Sequence, residues 1–82
     1  MINFEQKLRA NGESHQFNFY GLTISTGRIF LIVCHSEDED TVFRMKENGN
    51  GKWAVMTDGP AWLSKIENEL SAIIEKRLAE SL

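Results

Sequence analysis

The chain has 82 residues, a formal net charge of −3, an isoelectric point near 5.3 and 41% apolar residues. This length predicts one small domain over residues 1–82 with a single core. The acidic balance argues against non-specific binding to nucleic acid or to an anionic membrane. No apolar run approaches the roughly 20 residues of a membrane span, and the first residues lack the features of a secretory signal. We therefore expect a cytoplasmic protein.

The N-terminal segment is predicted to form a short helix. Asn3 is a good N-cap with Gln6 three residues later, as in a capping box, and Phe4 and Leu8 form an apolar pair one helical turn apart. The following Asn11-Gly12 pair supplies a left-handed stop. The alternative is an edge strand, because the apolar residues of this segment also share one parity.

Two strands are predicted next. Residues 15–20 alternate between polar and apolar, as a half-buried strand does. After Gly21 the apolar parity changes, to Leu22 and Ile24, which predicts a bulge or a bend at the glycine. Residues 29–34 are six consecutive apolar residues, typical of a strand that is covered on both faces. This run is therefore predicted to be the central strand of a sheet.

A hairpin is predicted after the central run. Residues 41–47 and 52–57 flank the sequence Asn-Gly-Asn-Gly at 48–51, the clearest turn signal in the chain. The large apolar residues of both strands have odd numbers, so odd residues are expected to oppose odd residues, for example Met45 opposite Trp53. That pairing requires a longer, glycine-containing turn instead of a two-residue turn.

A long helix is predicted for the C-terminal part, from residue 61 to about residue 81. It follows Asp58-Gly59-Pro60, which ends the sheet and begins the helix. Its apolar residues recur at about 100° per residue and form one stripe. They are Trp62, Leu63, Ile66, Leu70, Ile73, Ile74 and Leu78. The expected fold is α+β: an antiparallel sheet of about four strands, a long C-terminal helix packed on one face, and a short N-terminal helix.

Few residues suggest catalytic chemistry. Cys34 and His35 are adjacent, but consecutive side chains of a strand point to opposite faces, so they form no dyad. Cys34 is the only cysteine and is expected to be a buried small hydrophobe. His15, His35 and a carboxylate from residues 37–40 would make a metal-dependent enzyme if they converged, although they lack the spacing of metal motifs. We expect no catalytic residue, no metal ligand and no cofactor.

The most interesting surface is the second face of the predicted hairpin together with one parity of the central strand. The predicted surface residues are Phe30, Ile32, Arg44, Lys46, Lys52, Ala54 and Met56. The alternative contribution of the central strand is its other parity, Ile29, Leu31 and Val33. Because the long helix covers only one sheet face, this second face is expected to remain open for an interaction.

These patterns favour a non-enzymatic interaction or regulatory module that forms a homodimer through the open sheet face. The basic residues Arg44, Lys46 and Lys52 beside an aromatic suggest a second class, a sheet that binds a ligand or single-stranded nucleic acid. The metal-dependent enzyme is a third. In the competing arrangement, the N-terminal segment crosses to the second face and seals it, which would leave a monomer.

Overall fold

A computed structural model describes residues 2–56 and 59–81. The elements in chain order are β1 (Asn3–Ala10), β2 (Glu13–Ile24), β3 (Gly27–His35), β4 (Thr41–Glu47), β5 (Trp53–Val55) and α1 (Ala61–Glu80). The strands form one antiparallel sheet in the order β1-β2-β3-β4-β5, so each strand pairs with its neighbour in the chain. The predicted α+β fold with a long C-terminal helix is confirmed, with five strands instead of about four.

The predicted N-terminal helix is wrong, because this segment forms the edge strand β1. Asn11 and Gly12 have positive φ angles of 54° and 81°, as in a two-residue type I′ turn. The Asn-Gly pair therefore joins β1 to β2 instead of ending a helix. Phe4 and Leu8 satisfy both the helical and the strand period, and the hairpin with β2 selects the strand. Their side chains point toward the core.

The predicted bulge at Gly21 is also wrong. Strand β2 pairs with β3 without interruption along residues 16–24. The change of parity after Gly21 therefore transfers the apolar residues Leu22 and Ile24 to the opposite face of the sheet, where both are exposed. Strand β2 carries apolar side chains on one face in its first half and on the other face in its second half.

The central strand and the hairpin agree with the predicted pattern. Strand β3 lies in the middle of the sheet. In the β4–β5 hairpin odd residues oppose odd residues, but Met45 lies opposite Val55 instead of Trp53, a shift of two positions. The longer loop is stabilised by Asn48, whose side-chain oxygen accepts backbone N–H groups of the loop at 2.9 and 3.2 Å. The predicted strand end at Thr57 and the turn residue Asp58 lie outside the described residues.

Helix α1 packs across one face of the sheet, which we call the inner face. Its predicted apolar stripe is confirmed: Leu63, Ile66, Leu70 and Ile74 are buried, and Trp62, Ile73 and Leu78 pack around them. The core residues that the sheet contributes are Leu8, Ala10, Phe17, Phe19, Phe30, Ile32, Cys34, Phe43, Met45 and Trp53. Among the described residues, no helix is long and apolar enough to cross a membrane.

Two polar side chains of α1 close the outer edge of β5. The Ser71 hydroxyl oxygen accepts the backbone N–H of Trp53 at 2.9 Å, and a Glu67 carboxylate oxygen accepts that of Val55 at 2.8 Å. Strand β5 is an edge strand, so these N–H groups point away from β4. The helix therefore blocks this edge against pairing with a further strand.

Candidate interaction surface

The sheet face that points away from α1, called the open face below, carries a group of mostly apolar side chains. They are Tyr20, Leu22, Ile24, Ile29, Leu31, Val33, Val42, Arg44, Lys46, Ala54 and Met56. The strand register aligns them in rows: Tyr20, Leu31 and Arg44 are direct neighbours on successive strands. The next row contains Leu22, Ile29 and Lys46.

Many of these apolar side chains lie in solvent. The most exposed of the large apolar side chains have between 38% and 58% of their surface exposed. They are Tyr20, Leu22, Ile24, Val42 and Met56. Ile29, at the centre of the group, is buried although α1 lies on the opposite face of the sheet. A group of adjacent exposed apolar residues on one sheet face is typical of a contact site, whereas scattered single residues are not.

The residues of β3 that lie on the open face are not the ones assigned to the predicted interaction surface. Phe30 and Ile32 are fully buried beneath α1, so their assignment to the interaction surface is wrong. The register places Phe30 opposite Met45, and the Phe30 ring meets the Trp53 ring edge to face at 5.2 Å between centroids. Because the large apolar residues of β4 and β5 point toward α1, their partners on β3 must point the same way. Ile29, Leu31 and Val33, the alternative parity, therefore face outward.

Two of the three predicted basic residues lie on the open face, and the third does not. Arg44 and Lys46 lie on the open face, beside Ala54 and Met56 as predicted. Lys52 does not, since it precedes β5 and its Nζ lies 3.7 Å from a carboxylate oxygen of Glu75 on α1. Tyr20 is the only aromatic side chain on the open face within the described residues, because the phenylalanines and tryptophans belong to the core. The open face thus combines two cations with one aromatic ring.

The two histidines do not converge. His35 lies opposite Gln16, so His15, one residue earlier on β2, points to the other face of the sheet. His35 Nδ1 lies 3.1 Å from Oδ1 of Asp40, and His15 Nε2 lies 4.0 Å from Oε2 of Glu13. Among the described residues, no three His, Cys, Asp or Glu side chains are grouped to hold a metal ion. The residues of the metal-dependent enzyme hypothesis are therefore not brought together.

The acidic residues 37–40 form an exposed loop between β3 and β4. The contact between His35 and Asp40 attaches this loop to the end of β3. Strand β4 therefore begins beside a cluster of negative charge, while Arg44 and Lys46 lie toward its other end. The open face therefore has a charge gradient along β4, whereas Lys7 and Arg9 of β1 lie toward the end where the acidic loop is.

Cys34 is expected to react slowly in the folded protein. It lies on the inner face and is almost fully buried. Burial raises the pKa of the Cys34 thiol, and the negative charge of Asp40 raises it further. Since the thiolate is the reactive form, both effects slow modification at pH 8. A chromogenic thiol reagent should label the native chain slowly and the denatured chain rapidly. Equal rates in the two states would contradict this burial.

Comparison of the chain with protein-family models, with curated proteins and with solved structures finds no match. The open face and the edges of the sheet are the features of the molecule that indicate a function.

Proposed function

We propose that this chain is a small cytoplasmic interaction module, without catalytic activity, that self-associates through its open face. The observation that carries the proposal is the apolar character of both faces of β3. Helix α1 covers the inner face, whereas Leu31 and Val33 remain only half-buried on the open face. A strand with apolar residues on both sides is typical of a sheet that is covered on both faces. A second copy of the chain supplies the missing cover.

The size of the open face suits such a contact. The apolar group lies on the four strands β2–β5, which at about 4.8 Å each give a width of about 19 Å. The seven residues of β4, at about 3.4 Å each, give a length of about 24 Å. Two copies packed face to face therefore bury on the order of 900 Å² in total, the size of a weak, concentration-dependent contact.

The charge gradient favours a two-fold arrangement of identical chains. A two-fold axis that lies between the sheets and runs across the strands superposes opposite ends of β4. It brings the acidic residues 37–40 of one copy toward Arg44 and Lys46 of the other, and the reverse contact forms by symmetry. Such pairs at the rim add orientation and specificity to an apolar centre.

Single-stranded nucleic acid is a weaker candidate for this surface. Sheets that bind it stack several bases on aromatic side chains along a basic groove. The open face provides Tyr20 with Arg44 and Lys46, and the whole chain carries a net charge of −3. We therefore favour a protein contact. The proposed cytoplasmic location is supported by the free, buried Cys34, which suits a reducing compartment.

Self-association is tested by the mass of the native chain in solution. Light scattering at protein concentrations of tens of micromolar should give at least twice the 9.4 kDa of one chain. Dilution should lower the mass, because the interface is of modest size. A mass that stays near one chain at these concentrations would contradict the proposal.

A further inference from the structure

The two edges of the sheet differ in their protection. The edge at β5 is closed by Ser71 and Glu67 of α1. At β1, the backbone groups of the even residues pair with β2, as the bond from Gly21 N–H to the Ile2 carbonyl at 3.0 Å shows. In an antiparallel ladder the groups of the intervening odd residues then point away from β2. Strand β1 therefore presents a row of N–H and C=O groups at the other edge.

Only one side chain of the described residues reaches a carbonyl of this edge. The Arg77 guanidinium lies 4.9 Å over the Phe4 ring, and its Nη2 donates to the Glu5 carbonyl over 3.4 Å. This is a long hydrogen bond, and a carbonyl oxygen can accept a second one. The Arg77 contact therefore leaves Glu5 able to accept an N–H group from an added strand.

The side chains of β1 select the register of an identical partner strand. Odd residues must oppose odd residues, so the two-fold axis must fall on a residue and not between two residues. An axis at Gln6 places Glu5 opposite Lys7 of the second copy, twice by symmetry, and Phe4 opposite Leu8. An axis at Glu5 places Glu5 opposite itself, and an axis at Lys7 places Lys7 opposite itself although it also pairs Glu5 with Arg9. Like charges directly opposite each other destabilise a pairing, so the axis at Gln6, which has no like pair, is favoured.

We infer that β1 is a second self-association surface, at which two copies pair antiparallel about Gln6. The pairing joins two five-stranded sheets into one continuous sheet. It also places Glu5 of each copy beside Lys7 of the other on the face that continues the open face. A strand of another protein is a less suitable occupant, because the alternation of Glu5 and Lys7 is complementary to itself. The pairing is made by the backbone edge of β1 and leaves the apolar group of the open face free, so it does not depend on the proposed function, although Glu5 and Lys7 border that face.

Disulfide trapping tests the pairing and its register. At Gln6 the two copies would form a non-hydrogen-bonded pair with Cα atoms about 4.5 Å apart, within the range that a disulfide spans. Mild oxidation of Gln6→Cys with oxidised glutathione should therefore give a covalent dimer on a non-reducing gel. Glu5→Cys is the matched control, because Glu5 is more exposed but lies opposite Lys7 in this register. The Gln6 variant should cross-link at least about tenfold faster. No dimer, or faster cross-linking of the control, would overturn the inference.

A proline variant tests the same edge without a new thiol. The N–H of Lys7 points away from β2, so Lys7→Pro removes no hydrogen bond within the sheet, and proline is tolerated at such edge positions. Lys7→Ala, which keeps the N–H group, is the control. Both changes are made together with Leu31→Lys, which places a charge on the open face and leaves β1 as the remaining contact. We expect Lys7→Pro to weaken the residual self-association by at least about tenfold relative to Lys7→Ala. Equal association of the two variants, or none in Leu31→Lys alone, would overturn the inference.

Discussion

Leu70→Ala is expected to lower the free energy of unfolding by about 2–5 kcal/mol. Leu70 is fully buried at the centre of the α1 stripe, so the substitution removes apolar contacts and leaves a cavity between helix and sheet. A domain of this size has a total stability of only about 5–15 kcal/mol. The loss is therefore a large share of the total, and the midpoint of urea unfolding should fall correspondingly.

The matched control is Leu22→Ala. It deletes the same atoms from a side chain that is 45% exposed on the open face, and should cost less than about 1 kcal/mol. Both variants should be unfolded at a concentration where light scattering reports a single mass, because association would add to the measured stability. Equal losses for the two variants would show that α1 does not cover the core as described.

Leu31→Lys is expected to lower the solution mass of the native chain about twofold, because it removes the contact through the open face while the contact at β1 remains. Leu31 lies between Tyr20 and Arg44 in the middle row of the open face. Two copies packed through this face would bury the added ammonium group, and the cost of desolvating a charge exceeds the gain of a modest apolar contact. In the separated chain the lysine stem can lie on the sheet while its charge stays in water. Thermal unfolding should therefore change little at concentrations where the native chain is also dissociated.

Ala72→Lys adds the same charge at an exposed position of α1, away from both proposed surfaces. It should leave the mass unchanged. If Leu31→Lys also leaves the mass unchanged while the native chain is a dimer, the open face is not the contact. Self-association would then have to be assigned to the β1 edge, where the trapping experiment at Gln6 gives an independent result.

Both proposed surfaces exist because the fold has only one helix to cover its sheet among the described residues. A single helix covers one face of the sheet and one of its two edges, through Ser71 and Glu67. The opposite face keeps apolar residues such as Val42 and Met56 in solvent, and at the opposite edge the backbone groups of the odd residues of β1 point away from the sheet. Exposed apolar faces and open edges are both features that proteins cover by association or protect with charge. The alternating charges of β1 allow self-pairing while disfavouring many other strands.

Several features of this fold could be predicted from the sequence because they depend on local patterns with one solution. The continuous apolar run of β3 predicts a central strand. The Asn-Gly-Asn-Gly loop predicts a hairpin, and the apolar stripe from Trp62 to Leu78 predicts the long helix. A single long helix covers only one side of a sheet, so the sequence also predicts an open face. The strand register places Arg44, Lys46, Ala54 and Met56 on that face.

The tertiary structure decided the features for which the local pattern allows two solutions. Phe4 and Leu8 fit a helix or a strand, and only pairing with β2 selects the strand. Both parities of β3 are apolar, so the inward one is set by the register with β4, which buries Phe30 and Ile32 and turns Leu31 outward. The role of Ser71 depends on the edge N–H of Trp53, a group far away in the sequence. Local periodicity determines which residues share a face, whereas contacts between distant segments determine which face is buried.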